Sequence, residues 1–430
     1  MEGVKVLGWK DRLLNNRFLT GVLTLASATA AGQIILVLAT PLLTRLYTPE
    51  QFGLLAVFIA VMSVVLVVSS LRYEIAIPLP RHAWNARLLL HLSLAINLAM
   101  AAVSLVVVAV FREDIARLTK NPGLADYLWL LPVAIVFAGS YKALSYWAVR
   151  NNDYPVIART KIVQSIANVA TQVVAGLIGL GALGLILGQV IGQTAGAARL
   201  AKGTGLRERF SLASLRGARA RALLREHRHF PKYDAPAATV DALSVQLPNV
   251  LLAALFNPFI AGLYMLAERV LSMPMGLLGQ AVGQVLFGSS REALKNGTLD
   301  RLALKIVSGL SAIIFAPVIV IFFWAGDLFA WIFGEAWRES GVYASWMMLG
   351  LSVQFLYSPI SMVLMATNGQ KINLFIHLFM LFAKTAVLVY GYHLGSPLAA
   401  IIGFSMVGVV GYAASILIIL AHARKYSARS

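Results

Sequence analysis

Cysteine is absent from the 430-residue chain, and charged residues make up only 13% of it. The lack of cysteine excludes disulfides, thiolate metal sites and cysteine nucleophiles, so the cellular compartment has to be inferred from topology. The scarcity of charge excludes the ordinary soluble classes, because about a quarter of the residues of a soluble domain are charged. With 59% hydrophobic residues and a mean hydropathy of +0.78, the composition indicates a polytopic membrane protein.

Apolar runs long enough to cross the hydrocarbon core, which takes about 20 helical residues, recur along the whole chain. The first is expected to remain as a helix and not to be cleaved as a signal peptide, because its apolar run continues to Leu43. The sequence therefore predicts an all-α fold of twelve transmembrane helices. They are residues 18–43, 52–71, 88–111, 127–149, 156–178, 182–198, 235–255, 258–290, 304–326, 341–367, 372–392 and 397–421.

Basic residues are unevenly distributed between the two sides of these spans. Most of the 36 Lys and Arg residues fall in the connections on the side of both termini, which predicts that this side is cytoplasmic. Basic residues concentrate between Arg199 and Lys232, where apolar residues are interleaved with them. We interpret this stretch as an interfacial segment held to anionic membrane lipids, with no nucleic acid as a partner. The interleaved residues are Phe210, Leu212, Leu215 and Leu223.

The chain also contains an internal repeat. Residues 46–49 (LYTP) followed by Gly53 recur as residues 255–258 (LFNP) followed by Gly262. Each half holds six predicted spans, an even number, so the two copies have the same orientation in the membrane and form a parallel repeat. This predicts two six-helix lobes, residues 1–201 and 233–430, joined by the basic amphipathic connection 202–232. Such an architecture is typical of transporters.

Ionisable side chains within the spans are the main functional signal, because each is costly in hydrocarbon unless it is paired or hydrated. They are Lys142, Asp241, Glu268, Arg269 and Lys384. Arg269 shares one face of its predicted helix with Gly276, Gln280 and Gln284. Polar stripes of this kind favour a water-filled central cavity between the lobes. The alternative is a set of buried ion pairs that hold the bundle together, for instance Lys384 with Glu268 or Asp241.

Four segments resemble a known family. LLTRLYTPEQFG at 42–53, LRYEIAIP at 71–78, residues 183–192 and WIFGEAW at 331–337 look like the polysaccharide (O-antigen type) flippases of the multidrug/oligosaccharidyl-lipid/polysaccharide exporter superfamily. The resemblance implies a bacterial inner-membrane protein that moves an undecaprenyl-diphosphate-linked oligosaccharide from the cytoplasmic to the periplasmic leaflet. The cargo would be a repeat unit of O-antigen, capsule or exopolysaccharide. Transport would proceed by alternating access through a cationic cavity, coupled to a proton or Na⁺ gradient. No other cofactor is implied, and polysaccharide polymerase and chain-length proteins are candidate partners.

The charges in the spans agree in sign with this implied cargo, because a lipid diphosphate is an anion. Candidate substrate-binding residues are Arg72, Lys142, Arg269, Lys384, Gln280 and Gln284. Candidate residues for binding the coupling ion are Glu74, Asp241 and Glu268. The roles of Arg72 and Glu74 are hypotheses from their place in the 71–78 segment.

Other functions remain open at this point. A multidrug exporter of the same superfamily would usually need a carboxylate-rich cavity, whereas the first span has no acidic residue. A lipid II flippase would typically have two further helices beyond the twelfth. A membrane enzyme acting on lipid-linked sugars would generally need a larger outside loop than 112–126 or 327–340. An ATP-driven pump is disfavoured because the sequence contains no phosphate-binding loop motif.

Overall fold

Residues 17–203, 217–367 and 370–427 are described by a computed structural model, and every regular element within these ranges is a helix. Helices cover all twelve predicted spans, which confirms the predicted all-α fold class. The long helices are α1 (Arg17–Leu46), α2 (Pro49–Val68), α3 (Ala83–Leu118), α4 (Leu130–Arg150), α5 (Tyr154–Leu177), α6 (Ala182–Gly203), α7 (Ala235–Leu255), α8 (Pro258–Lys295), α9 (Leu299–Phe333), α10 (Arg338–Ile360), α11 (Gln370–His393) and α12 (Pro397–Ser427).

Shorter elements connect these helices. The sequence between α2 and α3 forms a 3₁₀ turn at Tyr73–Ala76, and the sequence before α7 forms a π-helical turn at Phe230–Asp234. Ala218–Glu226 is a short helix of the basic connection, in which Leu223 is buried. The predicted interfacial residues Phe210, Leu212 and Leu215 lie outside the described residues.

Eight of the long helices have the length and apolar composition needed to cross a membrane. The other four, α4, α5, α6 and α8, carry lysine, arginine, glutamate or amide side chains in their middle turns, which lower their mean hydropathy. Polar groups at membrane depth are tolerated where protein buries them or where they line a wet cavity. These four helices are therefore the ones to examine for a functional site.

The chain divides into two compact units. The first unit comprises Met1–Tyr47 and Val57–Gln246, and the second comprises Thr48–Ala56 and Leu247–Ser430. Helix α2 thus begins in the second unit and continues in the first. The division of the sequence into lobes 1–201 and 233–430 stays a prediction.

In the first unit, α5 and α6 pack with their backbones close together. A Cβ atom at Gly184 would lie 2.6 Å from the Ala175 Cβ, and one at Gly188 would lie 2.3 Å from the Gln172 Cγ. Only glycine fits at these positions, which belong to the four-residue glycine repeat of α6. Small residues let membrane helices approach and gain van der Waals contact that lipid cannot supply.

In the second unit, the two copies of the internal repeat touch each other. A Cβ atom at Gly53 would lie 1.9 Å from the carbonyl oxygen of Pro258, and one at Gly262 would lie 1.8 Å from that of Pro49. Each glycine therefore accommodates the first residue of the helix that carries its counterpart. The repeated sequence is a reciprocal contact between the beginnings of α2 and α8.

One predicted span differs from the structure. Residues 341–367 were expected to form one helix, but α10 ends at Ile360 and a short helix follows at Met362–Ala366. Pro359 lies next to the break. A proline has no backbone N–H and disturbs the hydrogen-bond ladder of a helix, which accounts for the interruption.

Gly53→Ala and Gly262→Ala should each destabilise the purified protein by at least roughly 3 kcal/mol, the upper end of the usual cost of overpacking, because the added methyl group meets backbone atoms. The measurement is the melting temperature in detergent. Gly309→Ala is the matched control: its Cβ would meet nothing within 4 Å, and the substitution should stabilise α9 slightly through helix propensity. Equal melting temperatures for the Gly53 and Gly309 variants would contradict the reciprocal contact.

Candidate functional site

Two adjoining cavities lie inside the first unit. The larger, of about 410 Å³, is lined mainly by α4 and α5, and the smaller, of about 190 Å³, by α1, α5 and α6. Thr29, Lys161, Gln164 and Gln193 line both, so we call them together the lysine–amide cavity. Its lining includes two cations but, among the residues that the structure describes, no carboxylate. The remaining polar lining residues are Gln33, Tyr141, Lys142, Ser145, Tyr146, Ser165, Asn168 and Gln189.

Amide side chains from α5 and α6 form the polar wall of this cavity. The Gln164 Nε2 donates a hydrogen bond to the Gln193 Oε1 at 2.6 Å, and the Asn168 Nδ2 donates to the Gln189 Oε1 at 3.0 Å. Gln164 and Asn168 lie four residues apart on α5, and Gln189 and Gln193 lie four residues apart on α6, so each helix presents its two amides on one face. The Asn168 Oδ1 is buried and has no hydrogen-bond partner in the described part of the chain. A polar wall with an unsatisfied acceptor suits a hydroxyl or amide ligand, or water.

Lys161 is the one cation of this wall that the sequence reasoning missed. Its Nζ lies 5.3 Å from the centre of the Tyr141 ring, and it forms no ion pair with any carboxylate that the structure describes. It occurs near the beginning of the predicted span 156–178. The spacing of Lys161, Gln164 and Asn168, at i, i+3 and i+7, was the available signal, because it places all three on one helical face.

Lys142 joins the cavity to a buried acid. Its Nζ lies 2.8 Å from the Glu74 Oε1, and the exposed fractions of the two side chains are 24% and 0%. The Ser70 hydroxyl donates a hydrogen bond to the other carboxylate oxygen, Oε2. Lys142 therefore lines the cavity as one half of an ion pair with a residue of the 71–78 segment.

Arg72, the other charged residue of that segment, faces a different partner. Its Nε lies 2.7 Å from the Asp234 Oδ2 on the π-helical turn before α7. Leu71 and Arg72 have φ angles of 50° and 65°, a left-handed conformation that costs side-chain-bearing residues about 1 kcal/mol or more each. This strained turn places Arg72 and Glu74, two residues apart, against different elements of the first unit. Neither side chain lines the lysine–amide cavity.

In the second unit, the intramembrane charges have uncharged partners. Glu268 accepts a hydrogen bond from the Asn249 Nδ2 at 3.1 Å. The Lys384 Nζ lies 3.5 Å from the Tyr412 hydroxyl and 4.6 Å from the centre of the Phe404 ring. The expected alternative, an ion pair between Lys384 and Glu268, is not formed within the described residues. A lysine over aromatic rings is stabilised by cation–π attraction instead.

The remaining predicted site residues are Arg269, Asp241, Gln280 and Gln284. Arg269 is half-buried on α8 and forms no ion pair with a described carboxylate, and Asp241 is exposed on α7. The side chains of Gln280 and Gln284 lie outside the described part of the structure. Within that part, no group of three or more His, Asp or Glu residues is arranged to hold a metal ion.

A comparison with protein families matches residues 42–342 to the family described as polysaccharide biosynthesis protein. The chain belongs to this family. The match includes all four segments on which the sequence resemblance rests, and with them the beginnings of α2 and α8. No curated protein sequence matches the chain.

Comparison with solved structures identifies the fold of the chain. The lipid II flippase MurJ, in an inward closed conformation, has a TM-score of 0.71 over 94% of this chain and 90% of that one, at 14% identity. The MATE transporter VcmN of Vibrio cholerae has a TM-score of 0.54 at 16% identity, covering 95% of each chain. A transporter of the MOP superfamily from Pyrococcus furiosus has 0.53 at 14% identity, covering 94% of this chain and 96% of that one. The chain therefore has the fold of MOP transporters, and the resemblance inferred from sequence is confirmed.

The family is described as one of polysaccharide biosynthesis, and the solved structures named above, which share the fold, are transporters and a flippase. Multidrug exporters and lipid flippases share this fold, so only the chemistry of the cavity can distinguish between them.

The lysine–amide cavity should attract anions. In this cysteine-free chain, Gln193→Cys should react at least about tenfold faster with sulfonatoethyl methanethiosulfonate than with its trimethylammonium analogue, after normalisation to the exposed control Asp126→Cys, because a cavity lined by one sign of charge concentrates the opposite ion. Adding Lys161→Gln should reduce this preference. A preference for the cationic reagent in Gln193→Cys would contradict the assigned polarity.

Proposed function

We propose that the protein moves an oligosaccharide carried on undecaprenyl diphosphate from the cytoplasmic to the periplasmic leaflet of the bacterial inner membrane. The observation that carries this proposal is the lysine–amide cavity, in which Lys142 and Lys161 are combined with neutral amides and no described carboxylate forms part of the lining. The cargo would be a repeat unit of O-antigen, capsule or exopolysaccharide.

The chemistry of the cavity matches the two parts of such a headgroup. Lysine ammonium groups bind phosphate oxygens as point charges. Glutamine and asparagine both donate and accept hydrogen bonds, as sugar hydroxyl groups do. In each amide pair between α5 and α6, an N–H group of one side chain is bound to the carbonyl oxygen of the other. The Asn168 Oδ1 has no partner among the described residues. An anion flanked by hydroxyl groups would satisfy both kinds of lining residue at once.

Two comparisons support this assignment. The family is one of polysaccharide biosynthesis, and the similar structure with a TM-score of 0.71 is a flippase for a lipid-linked substrate, lipid II. The Pyrococcus furiosus transporter is described as having a binding pocket whose reverse polarity suggests a different function. Pocket polarity thus serves to distinguish functions within this superfamily, and here the polarity of the first unit favours an anion.

Further residues are proposed to take part in the transport cycle. Arg269 and Lys384, with Gln280 and Gln284, are proposed to bind an anionic substrate group, and Glu268 and Asp241 to bind a coupling proton or Na⁺. Arg72 is proposed to act through its ion pair with Asp234, not by direct contact with the cargo. Polysaccharide polymerase and chain-length proteins would receive the product on the periplasmic side.

The direction of transport requires both termini to be cytoplasmic, as the distribution of Lys and Arg predicts. Ala222 on the short helix Ala218–Glu226 and Asp126 after α3 are both exposed. In spheroplasts, Asp126→Cys should react with a membrane-impermeant maleimide, and Ala222→Cys should react only after the membrane is opened. Labelling of Ala222→Cys in intact spheroplasts would overturn the proposed orientation.

Removal of the Lys161 charge from the cavity should slow export. Lys161→Gln should slow transfer of the lipid-linked oligosaccharide roughly tenfold to hundredfold, the effect of losing one charged hydrogen bond, and Lys161→Arg should retain more activity. The measurement is accumulation of untranslocated lipid-linked oligosaccharide in the cytoplasmic leaflet, with dye efflux recorded from the same cells.

Lys305→Gln is the matched control, because it removes the same charge from an exposed position at the beginning of α9. It should leave export unchanged. If Lys161→Gln lowers dye efflux while lipid-linked oligosaccharide is exported normally, the protein is a multidrug exporter and the proposed cargo is wrong.

A further inference from the structure

Glu74 is held by one cation and one hydroxyl group in a fully buried position. The Ser70 hydroxyl donates to its Oε2, while its Oε1 lies 2.8 Å from the Lys142 Nζ. The Oε1 receives no aligned hydrogen bond from any residue that the structure describes. Lys142 is therefore the cation that pairs with this oxygen.

Lys142 also faces the lysine–amide cavity. Its side chain keeps 24% of its surface exposed and lines the lysine–amide cavity together with Ser145 and Tyr146, one turn further along α4. Glu74 does not line the cavity. The Lys142 ammonium group thus lies between the buried Glu74 carboxylate and the lysine–amide cavity, which Lys161 also lines.

An anion in the cavity would compete with Glu74 for this ammonium group. Removing the partner of a buried charge is strongly unfavourable, because it leaves that charge uncompensated where water cannot solvate it. A proton on the Glu74 carboxylate removes the uncompensated charge, and the protonated oxygen becomes a donor in place of a bare acceptor.

Several other charged and titratable groups lie on the elements that pack against the 3₁₀ turn of Glu74. The 3₁₀ turn packs against α3, α4 and the π-helical turn. From the π-helical turn comes Asp234, which is occupied by Arg72; α4 contributes Lys142 and Tyr146, and the adjacent end of α3 carries Arg87 and His91. Arg72 is engaged 2.7 Å from Asp234, so Lys142 is the cation that Glu74 stands to lose.

We propose that an oxyanion binding in the lysine–amide cavity takes Lys142 from Glu74, and that Glu74 takes up one proton from the solvent in exchange. The ammonium group stays protonated, the ligand oxyanion becomes its counterion, and the carboxylate becomes a carboxylic acid. The exchange rests on the proposed function for the identity of the anion, a diphosphate. By linkage, each bound anion promotes protonation of Glu74, and protonation promotes anion binding.

Isothermal titration calorimetry of the purified chain with inorganic pyrophosphate tests this exchange. Titrations at pH 7.5 in buffers of different ionisation enthalpy give the number of protons taken up per bound anion. The wild type should take up close to one proton more than Glu74→Gln, a comparison that cancels protons bound by pyrophosphate itself. Glu74→Gln should also bind pyrophosphate about tenfold more tightly, because its Lys142 has no carboxylate to leave.

Asp234→Asn is the matched control, since it neutralises a carboxylate that is equally close to a basic side chain but not linked to Lys142. It should keep the proton count of the wild type. Lys142→Gln is a second variant, which should bind pyrophosphate more weakly through Lys161 and without the additional proton. A proton count that is the same in the wild type, Glu74→Gln and Lys142→Gln would overturn the exchange.

The outcomes also separate this inference from the proposed function. If pyrophosphate binds to the wild type but the Glu74→Gln variant shows the same proton count and affinity, the exchange is wrong and the anion site stands. If pyrophosphate does not bind to the wild type, the anion site itself is wrong, and the proposed function and the exchange fail together.

Discussion

The close contact of α5 with α6 determines the polar interior of the first unit. Because Gly188 and Gly192 bring no side chain to this contact, Gln164 and Asn168 of α5 reach across to amides of α6. With larger residues at these glycines the helices would separate, and the four amide groups would lose the partners that hold them in the cavity wall. The cavity wall is thus a consequence of backbone packing and not of the polar residues alone.

The two units treat buried charge differently. In the first unit Lys142 is compensated by a carboxylate from a distant part of the sequence, and in the second Lys384 is compensated by aromatic rings and a tyrosine hydroxyl. The internal repeat has kept its helix-packing residues at Gly53 and Gly262, but these two lysines have different kinds of partner. In the repeat, the contact between the helices depends on the space available to the backbone. The compensation of each buried lysine depends on the side chains present in its own half.

The sequence was sufficient for the helices because membrane depth imposes a length and an apolar composition on each of them. It was also sufficient for the family, through the segments at 42–53 and 71–78. It was not sufficient for the partner of Lys142, since Glu74 lies in a connection and meets α4 only through the left-handed turn at Leu71 and Arg72. Lys161 was missed for a different reason: a lysine near the beginning of a span resembles a loop residue, unless it is considered together with Gln164 and Asn168 on the same face of its helix.

The reciprocal contact at the beginnings of α2 and α8 has an evolutionary consequence. After a gene duplication, each copy is ordinarily free to drift because the other retains the original sequence. Here the backbone of each copy occupies the space that a side chain at the glycine of the other copy would need. A substitution of either glycine therefore disturbs both copies. The contact therefore constrains both copies of the repeat together, because an added side chain at either glycine meets the backbone of the other copy.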